Sequence, residues 1–414
     1  MRQALPFNES HLSGKCIALF CVAAMVFAGA VSATIDASGL EMETIAVDRS
    51  IQELLVLDGV RGGLVVHAGS SDGGKQAALA LDAGQAIIVQ GLSEHADHVE
   101  RARRRAESLG LAGRLTFRQW DGRYLPYADN LVTALFWELP VDAADMAAIM
   151  RVLSPGGAAY VKHADGWHKA VKPWPDEIDE WPHHRYDAGN TGTSRDTQVG
   201  PPAHIQWEAG PRFMRSHEIE TGLTNFVTAN GRIYYILDEG PIGITDARFP
   251  ARWSLVCRDA FNGIHLWKRP LPAWGWQAWK EARTNNPHEW LGQRTRPADV
   301  DRLMVVEGDT LYVTLGWGKP ISAIDGKRGE VRETYYETSG TVEFVVHNGV
   351  LVVRTENDNP AIAAIDPDTG EARWRHEAPL IGDRSLCAAN GRVFFHTCLL
   401  YTSPSPRDRT RSRM

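Results

Sequence analysis

The chain has 414 residues, 43% of them hydrophobic and 23% charged, with a formal net charge of −7 at pH 7. This length and composition are typical of a globular protein with two or more domains, each large enough to bury a core. The mildly acidic balance argues against nucleic acid as a partner, since nucleic-acid binding depends on basic surfaces.

Residues 1–33 have the pattern of an export signal. Lys15 precedes an apolar run of 16 residues that ends at Val31, and Val31-Ser32-Ala33 is a small-residue cleavage site. A run of this length is short for a membrane span. We therefore expect an exported protein of the periplasm or cell envelope, with no stable membrane span after cleavage; an uncleaved anchor is the alternative.

The cysteines beyond this segment show no metal, haem or redox spacing. Cys257 and Cys387 lie in apolar, strand-like runs, and Cys398 lies near the C-terminus. No Cys-x-x-Cys pair occurs, and apolar surroundings favour a buried thiol. We expect free thiols at Cys257 and Cys387 rather than a disulfide.

Between residues 34 and 166, short apolar runs alternate with helical patterns. The predicted strands include residues 64–66, 86–89 and 131–136, and the predicted helices include residues 98–109 and 143–152. This alternation predicts a doubly wound, Rossmann-like α/β domain with a parallel sheet. Its first strand leads into the small-residue loop HAGSSDGG, residues 67–74, where backbone N–H groups could approach a cofactor at a helix start.

Three motifs make this domain similar to class I S-adenosylmethionine (SAM) methyltransferases. They are the glycine loop, DGRYLPYADN at residues 121–130, and RVLSPGG at residues 151–157. Their order and spacing carry the resemblance. It implies a SAM site, with no catalytic residue assigned, that would include Gly69, Ser71, Gly73, Glu94 and Asp121.

The same resemblance shows departures that argue against activity. His67 stands where the family usually has an acidic residue, and Ser71 stands where it has glycine, so a Cβ would crowd the cofactor. Ser93 occupies the place of the ribose-binding carboxylate, and Glu94 follows one residue late. Adjacent strand positions face opposite ways, so Glu94 can contact a ribose only if the loop turns it back. An exported domain would also lack a supply of SAM, and we expect it to be non-catalytic.

Residues 167–194 are rich in Trp, Pro and His and are predicted to be a linker that leads into the next domain. Four histidines, His163, His168, His183 and His184, could be imagined as metal ligands. Their spacing matches no metal-binding motif, and we expect no metal site.

Three segments further along share an Asp and a Gly four residues later. They are DAFNGIHLW (residues 259–267), DGKRGEVRE (325–333) and DPDTGEARW (366–374). Each predicts strand, tight turn and strand, with glycine at a positive φ. Hairpin turns are also predicted at Asn230-Gly231, Gly308-Asp309, Asn348-Gly349 and Asn390-Gly391. The interval from Asp325 to Asp366 is 41 residues, the length of one four-stranded propeller blade of roughly 40 to 45 residues.

These repeats resemble the pyrroloquinoline-quinone-type (PQQ-type) propeller family, which includes scaffolds like the outer-membrane assembly factors. The matching positions are Ala364, Asp366, Thr369, Gly370 and Trp374. The resemblance implies that residues 195–397 form part of a β-propeller. It says little about quinone binding, because the same blade builds cofactor-free scaffolds.

Tryptophans occur both in the repeats and in a long insertion near residues 272–297. Trp267 and Trp374 close the repeat motif, where an aromatic side chain buried between blades is expected. The insertion contains Trp274, Trp276, Trp279 and Trp290. These could line a face for a protein or carbohydrate ligand, or cover the propeller mouth.

Residues 398–414 begin with CLLYTSPSPRD, which resembles a translated sequencing adapter. We expect a non-native tail and a propeller that continues beyond it in the intact protein, because residues 181–397 hold about three to four blades and a closed propeller needs four to eight.

The sequence therefore predicts a multidomain protein, an α/β Rossmann-like domain followed by truncated all-β propeller blades. The predicted function is binding or scaffolding at the cell envelope by an exported protein with an unknown protein or carbohydrate ligand. One alternative is a SAM-dependent methyltransferase; another is a fragment of a PQQ-dependent quinoprotein dehydrogenase. No cofactor is expected under the main interpretation, and SAM or PQQ under the alternatives.

Overall fold

The computed structural model describes residues 2–6, 33–35, 41–45, 49–69, 72–82, 86–202, 205–213, 222–242, 251–279, 297, 299–357, 359–377 and 381–397. Most of the predicted export signal, Ser71, Trp290 and the predicted tail 398–414 lie outside the described residues.

Strands and helices alternate in the first part of the chain. In order they are β1 (Arg2–Pro6), β2 (Ala33–Ile35), β3 (Glu41–Ile45), α1 (Ile51–Leu57), β4 (Gly63–Ala68), α2 (Gly74–Asp82), β5 (Ile87–Ser93), α3 (Ala96–Ser108), β6 (Leu115–Gln119), β7 (Val132–Trp137), α4 (Ala143–Val152), β8 (Leu153–His163) and β9 (Gly166–Val171).

The second part of the chain is almost entirely β. Its elements are β10 (Leu223–Ala229), β11 (Arg232–Asp238), β12 (Trp253–Asp259), β13 (His265–Pro270), α5 (Trp276–Trp279), a 3-10 turn (Val300–Arg302), β14 (Met304–Glu307), β15 (Thr310–Thr314), β16 (Ile321–Asp325), β17 (Val331–Tyr335), a second 3-10 turn (Tyr336–Thr338), β18 (Thr341–His347), β19 (Val350–Thr355), β20 (Ala361–Ile365), β21 (Ala372–Glu377), β22 (Cys387–Ala389) and β23 (Arg392–His396).

One mixed sheet organises the α/β domain, with the strand order β2-β3-β9-β8-β7-β4-β5-β6. Strands β8, β7, β4, β5 and β6 are parallel, whereas β9 and β3 pair antiparallel to their neighbours. The prediction of a doubly wound, Rossmann-like domain is confirmed. The sheet extends beyond the predicted domain end at residue 166, because β9 turns back in a hairpin and pairs with β8.

Local sequence explains the elements that carry the sheet. The central strands β4 and β7 are buried at nearly every position, as parallel strands covered on both faces should be. Helix α1 begins with a capping box in which Ser50 and Glu53 satisfy each other's backbone N–H groups. Asp142 and Asp145 cap α4 in the same way. These caps start each helix at a defined residue and so set where the preceding loop ends.

Two hydrophobic cores lie on the two faces of this sheet. One is formed with α1, α2 and α3 and includes Leu54, Ala77 and Val99. The other is formed with α4 and includes Met146 and Ile149. Helices on both faces leave the two ends of the parallel strands as the open edges of the domain.

Three four-stranded antiparallel sheets follow, in the orders β10-β11-β12-β13, β14-β15-β16-β17 and β18-β19-β20-β21. Strands β22 and β23 form a further sheet, in which β1 pairs with β23. The four predicted hairpin turns each join two paired strands. These sheets have the strand order of propeller blades, but a closed propeller is not formed by the residues that the structure describes.

The shared Asp and Gly of the repeats close the turn between the third and fourth strand of each sheet. In the last of these turns, the Asp366 carboxylate accepts hydrogen bonds from the N–H groups of Asp368 at 2.9 Å and Thr369 at 3.3 Å. Gly370 then donates to Asp366 O at 2.8 Å with a φ of +74°. Asp259 and Asp325 make equivalent bonds. The repeat therefore encodes a turn stabilised by its own carboxylate.

Aromatic side chains pack on the Asp–Gly turns of the four-stranded sheets. Trp267 Nε1 donates to Gly326 O at 2.9 Å. Its ring lies over Gly329, where an added Cβ would come within 2.6 Å of Trp267 Cδ2. Glycine is required here for two reasons, since its φ is +72° and its neighbour leaves no room for a side chain.

The same contact recurs with other residues. Trp207 Nε1 donates to Ala260 O at 2.9 Å, and Tyr335 Oη donates to Pro367 O at 2.9 Å. The second repeat has Glu333 where the others have tryptophan, and Tyr335, two residues later, supplies the aromatic contact. The predicted aromatic side chain between neighbouring sheets is thus present. In the second repeat it stands two residues later than the motif predicts.

A connecting segment, residues 172–197, crosses from the α/β domain to the β-rich part. Its residues contact the first strands of the four sheets in chain order: Trp181 with Thr228, Pro182 with Val306, His183 with Val346, and Ala188 with Ala388. Those first strands, β10, β14, β18 and β22, also contact one another in that order. The predicted linker is therefore a packed element.

Two tryptophans of the insertion belong to a core. Trp274 and Trp279 are buried in the cluster shared by the first and second four-stranded sheets. In this arrangement the two indole rings cover the sheets and do not form an open ligand face. The remaining insertion residues 280–296 lie outside the described residues.

Candidate functional site

The carboxyl ends of the parallel strands form the edge at which the predicted SAM residues lie. The chain runs from β4 to β5 and β6 in one direction and then returns to β7 and β8 on the other side. The topological switch point therefore lies between β4 and β7, and ligands of doubly wound domains bind in the crevice at that point.

Gly69 and Gly73 bracket the loop between β4 and α2, and both have a positive φ, +93° and +76°. An added Cβ at Gly73 would approach Phe117 Cζ to 2.8 Å and Ala102 Cβ to 2.9 Å. Gly73 thus permits close packing of the loop on α3 and β6, the role of the third glycine in a dinucleotide loop. Ser71, which the resemblance to methyltransferases places near a cofactor, lies outside the described residues.

Four polar side chains meet at the switch point. His67, which is 2% exposed, contacts Gln76 through Nδ1 at 2.6 Å. The other ring nitrogen of His67, Nε2, lies 3.5 Å from Glu138 Oε1. Lys75 Nζ forms an ion pair with the same oxygen at 2.6 Å.

Glu138 is the acidic centre of this group. Partial burial would raise the pKa of Glu138, but the neighbouring His67 ring and Lys75 ammonium lower it to about 2. The carboxylate is therefore charged at neutral pH. It also lies beside the first turn, since a Cβ on Gly69 would come within 3.2 Å of Glu138 Cβ. A negative side chain with a cationic partner thus lines the crevice.

The structure separates Ser93 from Glu94. Ser93 is buried, and its Oγ accepts a hydrogen bond of 3.4 Å from the N–H of His95 at the start of α3. Glu94 is exposed, and its carboxylate lies against Gly122, where an added Cβ would overlap Glu94 Oε1. Glu94 therefore points towards the loop after β6, whereas the Ser93 hydroxyl bonds to the start of α3.

Asp121 begins that neighbouring loop. It is exposed, and Oδ1 accepts a hydrogen bond of 3.2 Å from the N–H of Arg123. Gly122 follows with a φ of +79°. The ends of β5 and β6 thus bring Glu94 and Asp121 to one side of the edge, while Gly69 lies at the switch point with Glu138.

The predicted histidines do not converge. His163 and His168 face each other on the β8–β9 hairpin, with ring centroids 4.3 Å apart, and His168 Nε2 lies 2.9 Å from Asp165. His183 instead bonds to the backbone of Val346. Within the part of the chain that the structure covers, no group of three or more His, Cys, Asp or Glu side chains is placed to hold a metal ion.

Two further observations bear on the predictions. Cys257 is a buried free thiol, and Cys387 is partly buried. None of the helices described is both long enough and apolar enough to cross a bilayer.

The sequence prediction missed Glu138, Lys75 and Gln76. A signal for Glu138 exists, because it is the first polar residue after the buried strand β7 and such positions lie at the ligand edge. Lys75 and Gln76 are in the first turn of α2, and nothing in their spacing singles them out.

No family model matches the chain. Among solved structures, it is similar to a protein from Methanococcus maripaludis assigned as a SAM-dependent methyltransferase, with 23% identity, a TM-score of 0.25 and coverage of 26% of this chain and 51% of that one. It is also similar to geranyl diphosphate C-methyltransferase from Streptomyces coelicolor A3(2), with 25% identity, a TM-score of 0.24 and coverage of 27% and 42%. A third is assigned as a sarcosine dimethylglycine methyltransferase from Galdieria sulphuraria, with 20% identity, a TM-score of 0.25 and coverage of 26% and 43%. The chain spans about half the length of these proteins or less.

Proposed function

We propose that the α/β domain binds SAM and that the chain is a SAM-dependent methyltransferase. The observation that carries this proposal is the arrangement at the carboxyl edge of the sheet. A glycine turn follows β4 at the topological switch point, and an exposed carboxylate, Glu94, follows the neighbouring strand β5. That is where a doubly wound domain binds a nucleoside-containing ligand.

Each residue has a role in this proposal. Glu94 accepts hydrogen bonds from the ribose hydroxyls, and its contact with Gly122 holds the carboxylate at the β6 side of the edge. Asp121 lies on that same side, at the position that the resemblance assigns to the adenine. Gly69 and Gly73 shape the turn that leads to the first helix. When bound, SAM supplies an electrophilic methyl group on its sulfonium.

Charge at the switch point also supports a zwitterionic ligand. Glu138 carries a negative charge that can face the amino and sulfonium groups of SAM, and Lys75 carries a positive charge that can face its carboxylate. The two side chains pair with each other in the structure, so a ligand would exchange one ion pair for two. The acceptor of the methyl group is not identified by this arrangement.

Calorimetric titration of the full chain with SAM and with its demethylated product tests this proposal. We expect saturable binding in the micromolar range, about −8 kcal/mol, and a loss of about tenfold in Glu94→Gln, because a hydrogen bond to a charged group is lost. Glu100→Gln is the matched control, since Glu100 is exposed on α3 with an i,i+4 partner. No binding up to millimolar SAM, or equal affinity of Glu94→Gln, would contradict the proposal.

A second candidate is a non-catalytic domain in a binding or scaffold protein, and the Lys75–Glu138 ion pair favours it. If that pair closes the crevice, wild-type protein should not bind SAM, whereas Lys75→Met, which breaks the pair, should admit it. Under this proposal the four-stranded sheets are blades of a propeller at the cell envelope, and their exposed faces bind a protein or carbohydrate. Saturable SAM binding by wild-type protein would favour the methyltransferase instead.

A further inference from the structure

The opposite, amino edge of the parallel sheet contains a cavity of about 490 Å3. Its walls come from three parts of the chain: the loop before β4 with the starts of β7 and β8, the connecting segment, and the first two four-stranded sheets. This volume is in the range of small-molecule sites, which often lie between domains. The cavity is separate from the carboxyl-edge site and does not depend on the function proposed for it.

Contacts across the interface hold these walls together. Asn262 Nδ2, in the first repeat turn, donates to Leu131 O at 3.2 Å and lies 3.1 Å from Thr133 Oγ1. Thr133 Oγ1 in turn donates to the buried Asp259 carboxylate at 3.3 Å. The turn of the first sheet is therefore fixed to the α/β domain, and the cavity is a feature of a bonded interface.

Cations dominate the cavity wall. Lys169 is neutralised by Asp58 at 2.7 Å. Arg232 and Lys327 share a single carboxylate, Asp309. Two cations on one anion leave an excess of positive charge on the wall formed by the four-stranded sheets.

The opposite wall carries a cation with no partner. Arg61 is exposed and lines the cavity. Its guanidinium makes no hydrogen bond or ion pair with any residue that the structure describes. The buried carboxylate of Asp259 is the one anion of the lining that faces no cation, and it is occupied by backbone N–H groups of its own turn. The cavity therefore has an unmatched donor group of the kind that binds phosphate or carboxylate in a bidentate manner.

An aromatic wall completes the cavity. The rings of Trp174 and Phe261 meet edge to face, with centroids 5.9 Å apart. The Trp174 ring extends from Gly156 in the α/β domain to Gly231 in the first four-stranded sheet, within 3.8 Å of a Cβ built on either glycine. Trp174 is nevertheless 40% exposed. A tryptophan with this much of its surface uncovered offers a flat apolar face in the same cavity as the unpaired arginine.

We propose that this interdomain cavity binds a small aromatic anion, with its ring against Trp174 and Phe261 and its phosphate or carboxylate group at Arg61. The wall supplied by Arg232 and Lys327 adds attraction for a second negative charge, which favours an aryl phosphate dianion. A ligand there contacts the α/β domain and the first two sheets at once, so its binding stabilises their relative arrangement.

Calorimetry on the full chain with phenyl phosphate, inorganic phosphate and phenol tests the proposal. Phenyl phosphate should bind saturably and more tightly than inorganic phosphate or phenol, because only phenyl phosphate can contact both the aromatic rings and the cations. Arg61→Ala and Trp174→Ala should each weaken binding about tenfold. Arg104→Ala is the matched control, since Arg104 is an exposed arginine on α3 far along the chain from the cavity.

Several outcomes would overturn the proposal. They are no saturable binding of phenyl phosphate up to about 10 mM, where the free energy would be weaker than about −3 kcal/mol, equal affinity for inorganic phosphate, or binding that Arg61→Ala leaves unchanged. Circular dichroism of each variant confirms folding, and Arg61→Gln provides a second substitution at an exposed position. Loss of SAM binding would not affect this result, because the two sites lie at opposite edges of the sheet.

Discussion

Gly329 and Trp267 provide a test of how the four-stranded sheets hold together. Gly329→Ala places a Cβ at a φ of +72° and within 2.6 Å of Trp267 Cδ2. The left-handed backbone costs roughly 1–2 kcal/mol for a residue with a Cβ, and overpacking costs about 1–3 kcal/mol more. Gly349→Ala is the matched control, because Gly349 has a φ of +66° and nothing within 4 Å of an added Cβ. It should lose only the backbone contribution.

The double variant separates the two costs. In Trp267→Ala the ring is absent, so adding Gly329→Ala should cost no more than Gly349→Ala, and the interaction free energy should equal the overpacking cost of about 1–3 kcal/mol. Hydrogen exchange of peptides covering residues 321–335 and 341–355 measures the local free energy of opening around Gly329 and around Gly349 in each variant. Equal losses in Gly329→Ala and Gly349→Ala, or additive losses in the double variant, would refute the packing of the ring on this turn.

Three further predictions concern the β-rich part. Burial lowers the pKa of His183 to about 4 from 6.5. The contribution of His183 to the free energy of unfolding is therefore present above pH 6.5 and is lost as the pH falls towards 4. Urea unfolding should show a smaller decrease in the free energy of unfolding between pH 7 and pH 5 for His183→Gln than for wild type. Burial raises the pKa of Glu343 to about 7 from 4.5 against the effect of its arginine neighbours. The contribution of Glu343 to the free energy of unfolding is therefore full below pH 4.5 and is lost as the pH rises through 7. A thermal-unfolding series over this pH range should show the midpoint temperature of Glu343→Gln rising relative to that of wild type. Tyr335→Phe removes the hydrogen bond to Pro367 O and should cost about 1 kcal/mol by urea unfolding, whereas an unchanged midpoint would show that the hydroxyl contributes nothing.

Much of the architecture could be predicted from local patterns. The helix at Ala143–Val152 has the predicted bounds, and the Asp–Gly repeats mark turns whose carboxylate and glycine act within a few residues of each other. Such turns can be predicted from sequence because the hydrogen-bond donor, the acceptor and the glycine lie within a few residues of each other. The substitution of Tyr335 for a repeat tryptophan was not visible, since its partner Pro367 is 32 residues away.

Some features of the candidate site could likewise be predicted from the sequence, and others could not. Gly69, Gly73 and Glu94 follow predicted strands, so their places at the sheet edge could be expected from topology. Asp121 follows β6, a strand that was not predicted, and its place came only from the motif resemblance. The orientation of Glu94 towards Gly122 depends on how two loops meet, and no spacing encodes it. The partners of Glu138 arise because α2 returns to the end of β7, a contact between segments more than 60 residues apart.

The connecting segment has a consequence for the order in which the protein is made. Residues 181–188 leave the ribosome before β10, β14, β18 and β22, the strands that they contact. Each first strand, from β10 to β22, then emerges to find its partner residue already present, in the same sequence in which the contacts lie along the segment. During synthesis, the connecting segment would therefore act as a template on which the four sheets assemble in chain order. In the folded protein the same segment joins two domains.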